Sequence, residues 1–111
     1  MKPTVFELLR EFHESFGAAI DQPFTEDLVA LRNKLLFEEW DEVAYELYPI
    51  DPDVGIGVHI DKKKLTKELA DLMYVTIGAA VTFGLPLEEV FYAVHESNMS
   101  KLGDDGKPVL R

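Results

Sequence analysis

Leu35-Leu36-Phe37-Glu38-Glu39-Trp40-Asp41-Glu42-Val43 is the stretch whose reading decides the fold. It reads as the middle of a long helix in which acids occupy positions of a core stripe. At 3.6 residues per turn, Glu38, Glu39 and Glu42 fall within an arc of roughly 100°. Extended along the helix, that arc collects Leu28, Leu31, Leu35 and Tyr45 at spacings of three and four. Lone buried carboxylates are costly unless paired, and three together also repel, so a bound cation is their natural partner. A solvated acidic face is the other reading of the same spacing.

The helix that carries these acids starts after Thr25, a good N-cap, with Glu26 and Asp27 in the first turn where the dipole favours them. Nothing interrupts it before Pro49. On the N-terminal side, Val5, Leu8, Leu9, Phe12 and Phe16 recur at helical spacing, which predicts a first helix from Pro3 to about Phe16, stopped by Gly17. His13 lies beside that stripe, as a structural histidine or a ligand contact. Pro49 to Asp61 carries two prolines, two glycines and three aspartates and reads as a connecting loop. Its Gly55-Ile56-Gly57 is a turn signal without the Gly-Lys-Ser/Thr of a P-loop.

A third helix is expected from Lys62 to Phe83. The run Lys62-Lys63-Lys64 opposes the dipole, so regular helix is expected from nearer Leu65. Met73 through Phe83 is apolar nearly all round, as in a helix covered on most sides. Glu68 and Asp71, three apart, share a face with Leu72 and Val75, so two further acids interrupt a core stripe. Gly84 ends this helix. Pro86, Glu88 and Glu89 open a fourth, reaching to about Leu102, with Val90, Phe91, Val94 and Met99 apolar and Asn98 and Lys101 on another face. The expected organisation is one all-α domain over residues 1–102, a four-helix bundle completed by oligomerisation, and a polar, mobile tail over 103–111.

Composition narrows the function classes. The 111 residues carry 21 acids against 11 bases, a net charge of −10. That balance argues against a nucleic-acid or anionic-membrane partner. The absence of cysteine excludes disulfides, thiolate metal sites and a Cys nucleophile. The N-terminus does not read as a signal peptide, and the apolar run Leu72–Phe83 is too short to span a bilayer, so a cytoplasmic protein is expected.

With the second and third helices antiparallel, the acid clusters face each other in the pattern E-E-x-x-E, 25 intervening residues, E-x-x-D. Oxygen-rich sites of this kind suit Mg2+ or Mn2+. No Glu-x-x-His accompanies them, which counts against a di-iron bundle. The His-Glu pairs at His13 and His95 lack the second histidine of a zinc-protease helix.

The sequence here resembles the all-α nucleoside triphosphate pyrophosphohydrolases, the MazG-like group that includes phosphoribosyl-ATP pyrophosphohydrolases. The resemblance rests on Glu38-Glu39-x-x-Glu42, Glu68-x-x-Asp71 within Lys67-Glu68-Leu69-Ala70-Asp71-Leu72, Arg32 six residues before the first cluster, and Ser97-Asn98-Met99-Ser100-Lys101. It implies hydrolysis of a nucleoside triphosphate, NTP or dNTP, to the monophosphate and pyrophosphate. It further implies that Glu39, Glu42, Glu68 and Asp71 hold Mg2+, for which Mn2+ could substitute, and that Glu38 orients or deprotonates the attacking water. Asn98, Lys101 and Arg32 are the implied substrate contacts. His13 and Trp40 are candidates for the base pocket. A homodimer or homotetramer is implied as well. The alternative is a non-catalytic helical interaction module whose acids bind a structural cation or a basic partner.

Overall fold

The computed structural model describes residues 1–48 and 60–109. The loop expected from Pro49 falls, up to His59, outside the described residues. Among those described are four helices, α1 (Val5–Phe16), α2 (Glu26–Leu47), α3 (Lys62–Phe83) and α4 (Leu87–Met99). The only strand-like pairing among them is one isolated bridge between Leu102 and Pro108. No described helix is long and apolar enough to cross a membrane.

Each helix begins on a local signal. Thr4 caps α1 in a capping box: its hydroxyl accepts from the Glu7 N–H while the Glu7 carboxylate accepts from the Thr4 N–H. Thr25 caps α2 through the Leu28 N–H. The α3 helix starts at Lys62, earlier than the lysine run suggests. The cause is Asp61, whose carboxylate accepts from the N–H groups of Lys63 and Lys64 and brings negative charge to the positive helix end. The fourth helix stops at Met99, so Lys101 lies beyond it. Lys101 and Val109 then pair through the backbone, and the Gly103 N–H donates to Lys107, folding back a segment expected to be mobile.

Three helices meet at Gly78. A Cβ there would lie 3.1 Å from Arg32 Nη1 of α2, 3.4 Å from His13 Nε2 of α1 and 3.9 Å from Leu9 Cδ1. The missing side chain lets α1 and α2 both close on α3. Among the described residues the buried apolar side chains are Leu9, Ile77 and Ala80, beside this joint, and Val43, eleven residues further along α2 from Arg32. The buried side of α2 runs through Leu28, Arg32, Leu35, Leu36, Glu39 and Val43, while Leu31 and Tyr45 are exposed. The stripe is therefore rotated by roughly 60° from the expected arc.

The joint is locked at one end by the α1–α2 connection. Asp21 and Gln22 donate backbone N–H groups to Val81 and Thr82, and Arg10 reaches Asp21 at 3.3 Å. Gly84 ends α3 at φ 63°, with the Leu85 N–H bonded to the Ala80 carbonyl. A Cβ on Gly84 would also stand 2.9 Å from Asp21 Oδ1. Gly84→Ala is therefore expected to cost about 1–2 kcal/mol through its left-handed backbone. Denaturant unfolding measures this, and a variant as stable as the parent would mean that the helix does not end this way.

Helix α4 is the exception to bundle packing. All its residues from Glu89 to Met99 are exposed, including Val90, Phe91, Tyr92 and Val94. The radius of gyration is 18.0 Å, against about 13 Å for a compact domain of this length.

Candidate active site

Arg32 beside Gly78, and Glu39 and Glu42 beside Glu68 and Asp71, show α2 and α3 running antiparallel. The spacing of three within each pair turns both acids of a helix toward the partner helix. Each of Glu39, Glu42, Glu68 and Asp71 offers a carboxylate oxygen, and these oxygens lie within 4.8 Å of one another. The Glu68 side chain is only 16 % exposed. Glu39 Oε2 and Glu68 Oε2 are buried without a hydrogen-bond partner among the described residues. Orphaned buried carboxylate oxygens are expensive, and a divalent cation would satisfy both at once. An all-oxygen set of this kind suits a hard divalent cation.

Crowding is visible in the electrostatics. The Glu68 carboxyl is pushed up from its ordinary value, first by a hydrogen bond that its neutral form makes with Glu42, then by burial and the charge of Glu42. Lys67 works in the opposite direction. Its ammonium lies 2.7 Å from Asp71 Oδ2 and 3.8 Å from Glu68 Oε1. Hydrogen bonding to Asp71, then the charges of Asp71, Glu68 and Glu42, push Lys67 up from its ordinary value.

The other residues singled out in the sequence are distributed less tightly. Glu38 lies outside the group of four: the rotation of the stripe turns it to solvent, half-exposed and 3.9 Å from Lys34. Trp40 is exposed as well. Arg32 shares the buried side of α2 with Glu39, two turns away, or about 10.5 Å along the axis. Its Nε is buried without a partner among the described residues, and burial pulls the guanidinium down from its ordinary value. His13 is buried, with Nδ1 3.0 Å from the Ala19 carbonyl oxygen, so it anchors the α1–α2 connection. Asn98 and Lys101 stand together, Nζ to Oδ1 at 3.3 Å, on the exposed C-terminal end of α4. Lys67 is the charged group at the cluster that motif reading passed over. Its position four residues before Asp71 was the available signal.

An all-α chain with four acids gathered between two antiparallel helices is consistent with the all-α MazG-like nucleoside triphosphate pyrophosphohydrolases. The family model described as phosphoribosyl-ATP pyrophosphohydrolase matches residues 8–98, and the chain belongs to that family. It is a pyrophosphohydrolase, a hydrolase acting on phosphorus anhydrides. No curated protein shows a significant match.

Proposed function

We propose that the protein hydrolyses the anhydride between the α and β phosphorus atoms of a nucleoside triphosphate, deoxynucleoside triphosphate or phosphoribosyl-ATP. The products are the corresponding monophosphate and pyrophosphate. The observation that carries this reading is the cage of four carboxylates with two orphaned oxygens. Glu39, Glu42, Glu68 and Asp71 would hold Mg2+, with Mn2+ as a substitute. When bound, such an ion would supply positive charge to phosphate oxygens and lower the pKa of a nearby water. Glu38, next to Glu39 and open to solvent, would orient the attacking water and take its proton. Arg32 would contact substrate from within the α2–α3 face and Trp40 would bound the base side, while His13, buried between the Ala19 carbonyl and Gly78, would support Arg32 from behind without touching substrate. Family membership sets aside the non-catalytic interaction module. The proposed setting is cytoplasmic nucleotide metabolism.

The proposed assembly is a homodimer or homotetramer. An apolar groove of about 450 Å3 runs between α1, α3 and the root of α4, lined by Leu69, Leu72, Met73, Ile77 and Phe91. A second copy covering this groove and α4 would bury the apolar side chains that one chain leaves in water. Within one chain, α4 stays exposed along the turns that carry Asn98. The proposed substrate contacts of Asn98 and Lys101 belong to that assembled form.

A panel of nucleoside and deoxynucleoside triphosphates and phosphoribosyl-ATP, each with Mg2+ and with product identification, tests the reaction. The expected primary products are monophosphate and pyrophosphate. Diphosphate and orthophosphate as primary products would refute the bond assignment.

A further inference from the structure

The cage already contains a cation of the chain's own. Lys67 Nζ lies 2.7 Å from Asp71 Oδ2 and 3.8 Å from Glu68 Oε1, so one ammonium touches two of the four cage acids. The Lys67 side chain is 69 % exposed, against 16 % for Glu68 and 36 % for Asp71. The ammonium therefore stands at the mouth of the cage, on the side open to a ligand. The i, i+4 spacing brings Lys67 and Asp71 together. A lysine N-terminal to an acid at i, i+4 is the less favourable order on a helix, because it sets the cation nearer the positive end.

We propose that Lys67 is an exchange cation: it holds Asp71 when the cage has no metal, and moves onto the triphosphate oxygens when metal and nucleotide bind. This rests on the reading of the four acids as a metal cage for anhydride hydrolysis. Four ionised carboxylates and Lys67 sum to −3, so one divalent ion leaves the cage at −1. A multiply anionic triphosphate brought to that cage needs further positive charge. Lysine suits the transfer, since its ammonium is a point charge with three donors on a flexible stem and can trade a carboxylate for a phosphate. A divalent ion drawing on Asp71 weakens that residue's hold on Lys67 and frees the ammonium. The two binding steps then assist each other: metal releases the lysine, and the lysine receives the phosphate. Without nucleotide, Lys67 opposes metal binding.

The test is calorimetry on the full chain with Mg2+ alone, then with α,β-methylene-ATP at saturating Mg2+. Lys67→Gln, Lys67→Arg and a control on the same helix, Lys63→Gln, are compared with the parent. Lys67→Gln is expected to bind Mg2+ alone several-fold more tightly. The same variant is expected to bind the analogue about tenfold more weakly, the loss of one charge-assisted hydrogen bond. Lys67→Arg should restore analogue binding, and Lys63→Gln should move neither affinity by more than about twofold. If Lys67→Gln matches Lys63→Gln, or shifts both affinities in one direction, the exchange is refuted while the cage stands. If the parent itself binds no Mg2+, the cage reading fails and takes this proposal with it.

Discussion

Glu68→Gln is expected to lower turnover by about a thousandfold or more, the scale of several kcal/mol of metal-ion stabilisation, while raising the melting temperature in chelator. The two effects share one cause. Glu68 is the least exposed partner in the Lys67 ion pairs, and it faces Glu42 with one oxygen unpaired. Glutamine keeps the volume and removes the charge, so repulsion within the metal-free cage falls and a metal ligand is lost. Metal binding to the folded parent adds RT ln(1 + [L]/Kd), about 2.7 kcal/mol at a hundred times Kd. The variant should gain much less from millimolar Mg2+. The sign with pH is also fixed. Because the Glu68 carboxyl is pushed up on folding, the folded chain binds its proton more tightly than the unfolded chain. The contribution of Glu68 to metal-free stability therefore declines as pH rises from the ordinary carboxylate range through its raised pKa. The advantage of Glu68→Gln in chelator should grow over that interval. Thermal melts of both proteins across pH, with chelator and then with Mg2+, provide the measurement. Parallel melts in every condition would mean that the acids share no site.

Phe91→Asp is expected to break the assembly. Light scattering of the parent should give at least twice the chain mass of 12.6 kDa, and the variant should fall toward the single-chain value. Phe91 is exposed at the edge of the apolar groove between α1, α3 and α4. Covering a phenylalanine stabilises by roughly 1.5–3 kcal/mol, and burying a carboxylate in its place is unfavourable. A dimer should therefore weaken by at least about a hundredfold. Activity should fall with it if Asn98 and Lys101 act in the assembled form. Were α4 a solvent-facing helix, the substitution would change stability by no more than about 0.5 kcal/mol, and the parent would scatter as a single chain.

Much of this protein was legible because helices are local structures. The order of four helices, the stop signals at Gly17 and Gly84 and the cap at Thr25 depend on residues a few positions apart. So does the placing of Glu39 with Glu42, and of Glu68 with Asp71, each pair on one face. The connection between α2 and α3 then made an antiparallel meeting of the two pairs the direct reading. The direction in which α2 presents its face was not legible. Phe37, Trp40 and Tyr45 are large and apolar yet exposed, so hydrophobic pattern alone could not separate the side that meets α3 from the side left bare in one chain. A rotation of roughly 60° brings Arg32 and Glu39 inward and turns Glu38 out. Packing decides that angle, through the gap that Gly78 leaves for Arg32 and His13. Tertiary structure also ties His13 to Ala19 and, with the acids gathered from two helices, gives Lys67 its place at the mouth of the cage. Local sequence determined the helices and the acids each one carries; which side chains share a volume was settled only when three helices closed on one glycine.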